Sequence, residues 1–227
     1  GLYRSYASVI DAVADERLRI YLYHIPPVAQ VPISLNLIEK LLKAYPGTIA
    51  GVKDSSGDWK NTAAMLERFQ PQGFDVFCGS ENFLLATLRA GGAGCITATG
   101  NVNPGPIVQL YKTWQQADAD EQQKKLDVTR AQFGAYVMIP AMKAAIASQS
   151  GNEDWAVVRP PLAKRPAARG PRHARLPATR VRRGCLPPTR PTSRPRESTN
   201  AAPDCLRRRF APAPRRPHGP VPRPAAR

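Results

Sequence analysis

The feature that most constrains this chain is an alternation. Through residues 1–118, short apolar or β-branched runs take turns with amphipathic stretches long enough to be helices. Strand, helix and strand repeated in that way form the building unit of a parallel sheet. The runs predict strands at Arg19–Ile25, Ile49–Lys53, Phe74–Cys78 and Gly94–Thr97. Helices are expected near Leu2–Ala14, Leu35–Ala44, Asn61–Phe69, Phe83–Ala90 and Ile107–Ala117. In the last of these, Ile107, Leu110, Tyr111 and Trp114 fall at i, i+3, i+4 and i+7, one apolar stripe able to pack on a sheet. Gly91 and Gly92 supply a helix stop before the fourth strand. Residues 119–162 read as a helical segment, with helices near Glu121–Met138 and Ala141–Ser148 split by Pro140, and no strand follows. Four β-α units make about half of an eight-unit barrel, whose usual size is about 250 residues. A complete open sheet of four strands is the alternative. The chain starts at Gly1 without an initiator Met, so sequence upstream is expected to be missing.

Charge separates the chain into two parts. Residues 163–227 hold 18 of the 33 Lys and Arg and only two of the 17 acids, Glu197 and Asp204, so they carry the whole formal charge of +16. Residues 1–162 are electrically balanced. The same segment holds 14 of the 24 prolines, and its apolar residues are too scattered to form a face, so it is expected to be a disordered basic tail. Basicity is therefore a property of the tail and not of the folded part. None of the four cysteines has Cys-x-x-Cys spacing, and Cys78 and Cys95 lie in apolar runs. Reduced, buried thiols and a cytoplasmic location are expected. No apolar stretch reaches the roughly 18 residues of a membrane span, and no signal-peptide pattern is present.

Parallel α/β enzymes place their reactive groups at the carboxyl ends of the strands. Two such ends carry chemistry. One reads Tyr21-Leu22-Tyr23-His24-Ile25-Pro26-Pro27 and the next Ile49-Ala50-Gly51-Val52-Lys53-Asp54-Ser55-Ser56-Gly57-Asp58. A lysine that ends an apolar strand is favoured by desolvation as a free amine, which can attack a ketone. The protonated imine then withdraws electrons and lets the adjacent carbon leave or react as an enamine. A strand-end lysine more often just points to solvent, and a strand tyrosine more often packs in a core. His24 alternates away from Tyr23 and is expected to satisfy a local hydrogen bond. Gly91-Gly92-Ala93-Gly94 precedes a strand, the wrong context for a phosphate loop. No His/Cys/acid cluster has metal-ligand spacing.

Taken together, Tyr23-His24-Ile25-Pro26, Gly51-Val52-Lys53-Asp54, Gly79-Ser80-Glu81, Gly94-Cys95-Ile96 and Arg159-Pro160-Pro161-Leu162 resemble, in order and spacing, the dihydrodipicolinate synthase / N-acetylneuraminate lyase family. The resemblance covers about Gly1 to Leu162. It implies the last four β-α units of a TIM barrel and a pyruvate-dependent class I aldolase, with no cofactor. It implies Lys53 as the Schiff-base nucleophile, Tyr23 as the proton shuttle and Ile96 as a pocket residue through its carbonyl. Glu81 and Asn82 would contact the sugar-like part of a substrate in some members, helix capping being their bland alternative. The implied partners are pyruvate or another 2-oxo acid and an aldehyde, and intact relatives are commonly tetramers.

Three departures qualify what the resemblance implies. The family's Gly-Thr-Thr-Gly-Glu-type motif, which holds the pyruvate carboxylate, is absent from these residues, so the chain by itself is expected to have little or no aldolase activity. Val28 stands where the synthases carry a carboxylate-binding arginine. That points to a different 2-oxo acid, with sugar-acid lyases as candidates. Last, the tail beyond Leu162 reads as a frameshifted or non-native extension, or as an arginine-rich arm that binds nucleic acid by charge. Phe210 is its one aromatic residue available for base stacking, which favours the former.

Overall fold

The computed structural model of the chain describes residues 1–164, and the expectations for the basic tail lie, from residue 165 on, outside the described residues. Four strands, β1 (Ile20–His24), β2 (Ile49–Asp54), β3 (Asp75–Cys78) and β4 (Gly94–Cys95), form one parallel sheet in that order. Around them run α1 (Leu2–Val13), α2 (Pro26–Ala29), α3 (Leu35–Ala44), α4 (Trp59–Phe69), α5 (Leu84–Arg89), α6 (Pro104–Thr113), α7 (Ala119–Gly134) and α8 (Met138–Ser150).

Local chemistry sets the helix starts. The Ser34 hydroxyl accepts the Leu37 N–H at 3.2 Å, and the Asp58 carboxylate accepts the Lys60 N–H at 2.9 Å. Each cap satisfies a donor that the first helical turn leaves free, worth about 1 kcal/mol. Apolar periodicity then buries one face of α3 and of α4 against the sheet. Ile38 and Leu41 of α3 and Met65, Leu66 and Phe69 of α4 pack with Leu22, Val52 and Val76 of the strands in one core. A second core joins Cys78 of β3 to Leu84 and Leu88 of α5, Leu110 of α6 and Leu126 of α7. A third, smaller one ties Phe133 of α7 to Ala141, Met142 and Ala145 of α8.

The two faces of the sheet differ sharply. Leu22, Val52, Val76 and Cys78 are at most 1% exposed, whereas Tyr21 and Tyr23, on the other face of β1, are 48% exposed. A doubly wound open sheet reverses its strand order and carries helices on both faces. Here the order is sequential and one face is covered, the arrangement of a barrel segment with its lumen side open.

Two boundaries differ from expectation for physical reasons. The fourth strand keeps only Gly94–Cys95, because its partner β3 ends at Cys78 and the ladder ends with it, although the Ile96 N–H still reaches the Cys78 carbonyl at 2.9 Å. Pro140 does not split two helices. It sits in the first turn of α8, where a missing N–H costs nothing, and the break falls earlier, between Gly134 and Met138.

Candidate active site

Register brings the two strand ends together. In the parallel ladder of β1 and β2, Tyr21 lies opposite Gly51, Tyr23 opposite Lys53 and His24 opposite Asp54. Because side chains alternate along a strand, partners in register point to the same face. Tyr23 and Lys53 therefore share the open face, and His24 and Asp54 share the covered one. Gly51 makes room for this arrangement: a Cβ there would lie 2.6 Å from the Tyr21 ring and 2.4 Å from the Asp75 carbonyl.

On the open face, Lys53 Nζ stands 4.0 Å from the centroid of the Tyr23 ring. The Tyr23 phenol is held below its usual range. Burial pushes it up, but hydrogen bonding to Lys53 and to Ser55, together with the Lys53 charge, outweighs that effect. Tyr21, two residues earlier, is shifted the opposite way. Its hydroxyl donates to the Asp75 carboxylate at 2.7 Å, and that bond, then burial, then the Asp75 charge hold the phenol above its usual range. One strand thus presents two equally exposed tyrosines with opposite acidities, and the more acidic one faces the lysine.

The covered face fixes the loop that follows Lys53. The Asp54 carboxylate, with its side chain 0% exposed, accepts the Ser56 N–H at 2.9 Å, the Asn61 amide at 3.0 Å and the Thr62 hydroxyl at 2.7 Å. His24 accepts the Ile33 N–H on Nδ1 at 2.9 Å, which is the local hydrogen bond expected of it, and its Nε2 lies 4.0 Å from Asp54. Ser55 continues the ladder by donating its N–H to the His24 carbonyl at 2.7 Å, and Gly79 does so to Asp54 at 2.7 Å. Glycine suits position 79, since a Cβ there would fall 2.8 Å from the Asp54 carbonyl oxygen and from the Ser55 Cα.

Over these strand ends opens a cleft of about 260 Å³ whose polar lining is Tyr23, Lys53, Asp54, Ser55, Ser80 and Arg130, with Phe83 and Ile25 among its apolar walls. Glu81 lies in a 3-10 turn (Glu81–Phe83) and is 0% exposed, so it meets the cleft only through its partners. Its carboxylate accepts the Thr97 hydroxyl at 2.6 Å and the Thr99 hydroxyl, and Arg130 Nη1 is 3.6 Å away. Asn82 is exposed and Ile96 is 46% exposed, and neither belongs to the residues lining the cleft. Ser55, Ser80 and Arg130 were not singled out from sequence. A signal for Arg130 existed, because it occupies the i+4 position after buried Leu126 and the i−3 position before buried Phe133, a charge on the apolar stripe of α7. Among the described residues no group of three or more His, Cys, Asp or Glu could hold a metal. No helix among them is long and apolar enough to cross a membrane.

The family model described as "Dihydrodipicolinate synthetase family" matches residues 1–171. The chain belongs to that family. A DapA-like lyase of Chloroflexus aurantiacus is 31% identical over 163 residues, 71% of this chain and 54% of that protein. The 4-hydroxy-tetrahydrodipicolinate synthase of Methanospirillum hungatei is 31% identical over 149 residues, 64% of this chain and 49% of the synthase. Among solved structures, YagE of E. coli K12, a member of the dihydrodipicolinic acid synthase family crystallised with pyruvate, superposes with a TM-score of 0.63. It is 27% identical, over 71% of this chain and 55% of YagE. The chain thus spans about half the length of the relatives it matches. The parallel sheet with its helices matches part of the barrel of dihydrodipicolinate synthase family proteins.

Proposed function

We propose that this chain carries the imine-forming half of a pyruvate-handling lyase, with Lys53 as the nucleophile and Tyr23 as the group that moves protons. The observation that carries the reading is the pairing of Tyr23 with Lys53 in the ladder, with Nζ 4.0 Å from the ring centroid at the carboxyl ends of two parallel strands. The unprotonated Lys53 amine attacks the 2-oxo carbon of pyruvate or a related 2-oxo acid. The carbinolamine loses its hydroxyl as water, taking up a proton that the Tyr23 hydroxyl delivers. The resulting Tyr23 phenolate takes a C3 proton from the protonated imine to give an enamine, whose C3 bonds to the carbonyl carbon of an aldehyde as the aldehyde oxygen takes that proton from Tyr23. Water then hydrolyses the new imine and releases the lysine. Run backwards, the same steps cleave the aldol bond. The phenol serves as shuttle because its acidity lies closer to that of the groups it exchanges protons with than an ordinary tyrosine's does.

The described residues include no donors of the Gly-Thr-Thr-Gly-Glu type for the pyruvate carboxylate, and the open face leaves Tyr23 48% exposed. Electrostatic stabilisation in a water-excluded site is commonly the largest part of such a rate enhancement. The chain alone is therefore assigned weak imine formation and little or no aldol turnover. Treatment with pyruvate and borohydride, followed by peptide mass spectrometry, tests this. A substoichiometric adduct confined to Lys53 and lost in Lys53→Ala is expected. Adducts spread evenly over the lysines would overturn the assignment of Lys53, and full stoichiometry with turnover would overturn the assignment of weak activity.

A further inference from the structure

The cleft wall holds a second cation that imine chemistry does not use. Arg130 reaches it from the C-terminal half of α7, with its side chain 23% exposed. An arginine kept only to neutralise a buried carboxylate would grip it with two parallel N–H bonds. Arg130 does not do so. Both Glu81 oxygens already receive hydroxyl donors, from Thr97 and Thr99, and the guanidinium stands 3.6 Å from the nearer one. Its hydrogen bond is to Thr97 Oγ1 at 3.3 Å, so Thr97 accepts from Arg130 while donating to Glu81. A guanidinium has five N–H donors. Among the described residues one of these is committed to a hydrogen bond, and Arg130 lines the cleft, whose wall also offers Ser55 and Ser80.

Resting on the imine reading above, we infer that Arg130 is a specificity-determining residue that binds an anionic group, carboxylate or phosphate ester, on the aldehyde partner and on the aldol adduct. Glu81, with Thr97 and Thr99, is the positioning set that aims it. The charges of the cleft support the assignment. The cationic imine on Lys53 is balanced by the carboxylate of the 2-oxo acid itself, and Glu81, 3.6 Å from Arg130 with both oxygens already accepting from Thr97 and Thr99, offsets the guanidinium charge without taking up its donors, which can bind a second anion. Asp54, the other charged residue of the lining, has its oxygens taken by Ser56, Asn61 and Thr62. Val28, 75% exposed, supplies no competing cation.

The test uses the full chain and two independent readouts. In borohydride trapping, 2-oxoglutarate should reach half-maximal adduct at a lower concentration than 2-oxobutyrate, whose tail is neutral. Arg130→Met should raise the 2-oxoglutarate value roughly tenfold or more, the worth of a charge-assisted hydrogen bond, and leave 2-oxobutyrate unchanged. In Lys53→Ala, which forms no adduct, glutarate and inorganic phosphate are titrated by NMR as simple probes. Loss of that binding on adding Arg130→Met supports the inference even if trapping fails, so a failure of Lys53 and a failure of Arg130 are told apart. Preference for glutarate assigns a carboxylate partner, and preference for phosphate a phosphoester. Should Arg130→Met fail to fold because Glu81 is stranded, Glu81→Gln with Arg130→Met removes both charges and is read in the same way. Equal binding with and without Arg130, or no binding of either probe to the parent chain, overturns the inference.

Discussion

The covered face of the sheet and its open face are built from the same strands, one residue out of step, and they do opposite work. On the covered face, apolar side chains are sealed under helices, and even the polar pair His24 and Asp54 is buried with partners for its key atoms. On the open face, the Tyr21 hydroxyl is held by Asp75, while Tyr23 and Lys53 line a cleft that a small molecule can enter. The difference teaches that stability and chemistry can be separated residue by residue along one strand. Lys53 is placed by its neighbours Val52 and Asp54, which point the other way.

Mutations on the two faces should therefore read out differently. The largest loss of stability is expected from Asp54→Ala, which strands three donors in a dry site and should cost about 4 kcal/mol. Urea denaturation measures it, and a cost under about 1 kcal/mol would show that water replaces the carboxylate. Next comes Leu22→Ala, at 1% exposure in the first core. A buried leucine truncated in this way costs about 3 kcal/mol, again read by denaturation. Tyr21→Phe on the open face removes one exposed hydrogen bond and should cost no more than about 1 kcal/mol. Lys53→Ala, which removes a half-buried cation from over the Tyr23 ring, should likewise cost no more than about 1 kcal/mol while abolishing the adduct. A large destabilisation by Lys53→Ala would break the comparison outright.

The two tyrosines sharpen it further. Phenolate absorbance on alkaline titration should lose its earliest component in Tyr23→Phe and a late one in Tyr21→Phe, because Tyr23 is shifted down and Tyr21 up. The linked stability has opposite signs. A lowered phenol, as in Tyr23, favours the folded state increasingly as pH rises above its folded pKa, and fully above the unfolded one. A raised phenol, as in Tyr21, contributes fully below the unfolded pKa and loses that contribution as pH rises through the folded one. Two variants that lose the same component would remove the distinction between the sites.

Much of the scaffold was legible along the chain. The helix over Leu35–Ala44 has the expected bounds because an amphipathic repeat and the Ser34 cap agree locally. The strand runs were legible because β-branched residues bounded by turns carry their own signal. The fourth strand shortened because its ladder stops where β3 ends, at Cys78, which is not local information. The cleft was less legible. Glu81 reads in sequence as a polar residue beside a strand end, yet it is fully buried, since Thr97, Thr99 and Arg130 converge on it from distant segments. Arg130 left a trace as a charge on an apolar stripe, but nothing local says which cavity that stripe borders.

The sequence by itself determined the alternation of strands and helices, the family resemblance, the balanced charge of residues 1–162 and the strand-end positions of Tyr23 and Lys53. Periodicity and composition are properties of neighbours in the chain, so they can be read there. Tertiary structure alone decided that Tyr23 and Lys53 stand side by side, that their strand presents one face open and one sealed, and that Arg130 joins them. Register and convergence depend on hydrogen bonds and packing between segments far apart in sequence, and those contacts exist only once the chain has folded.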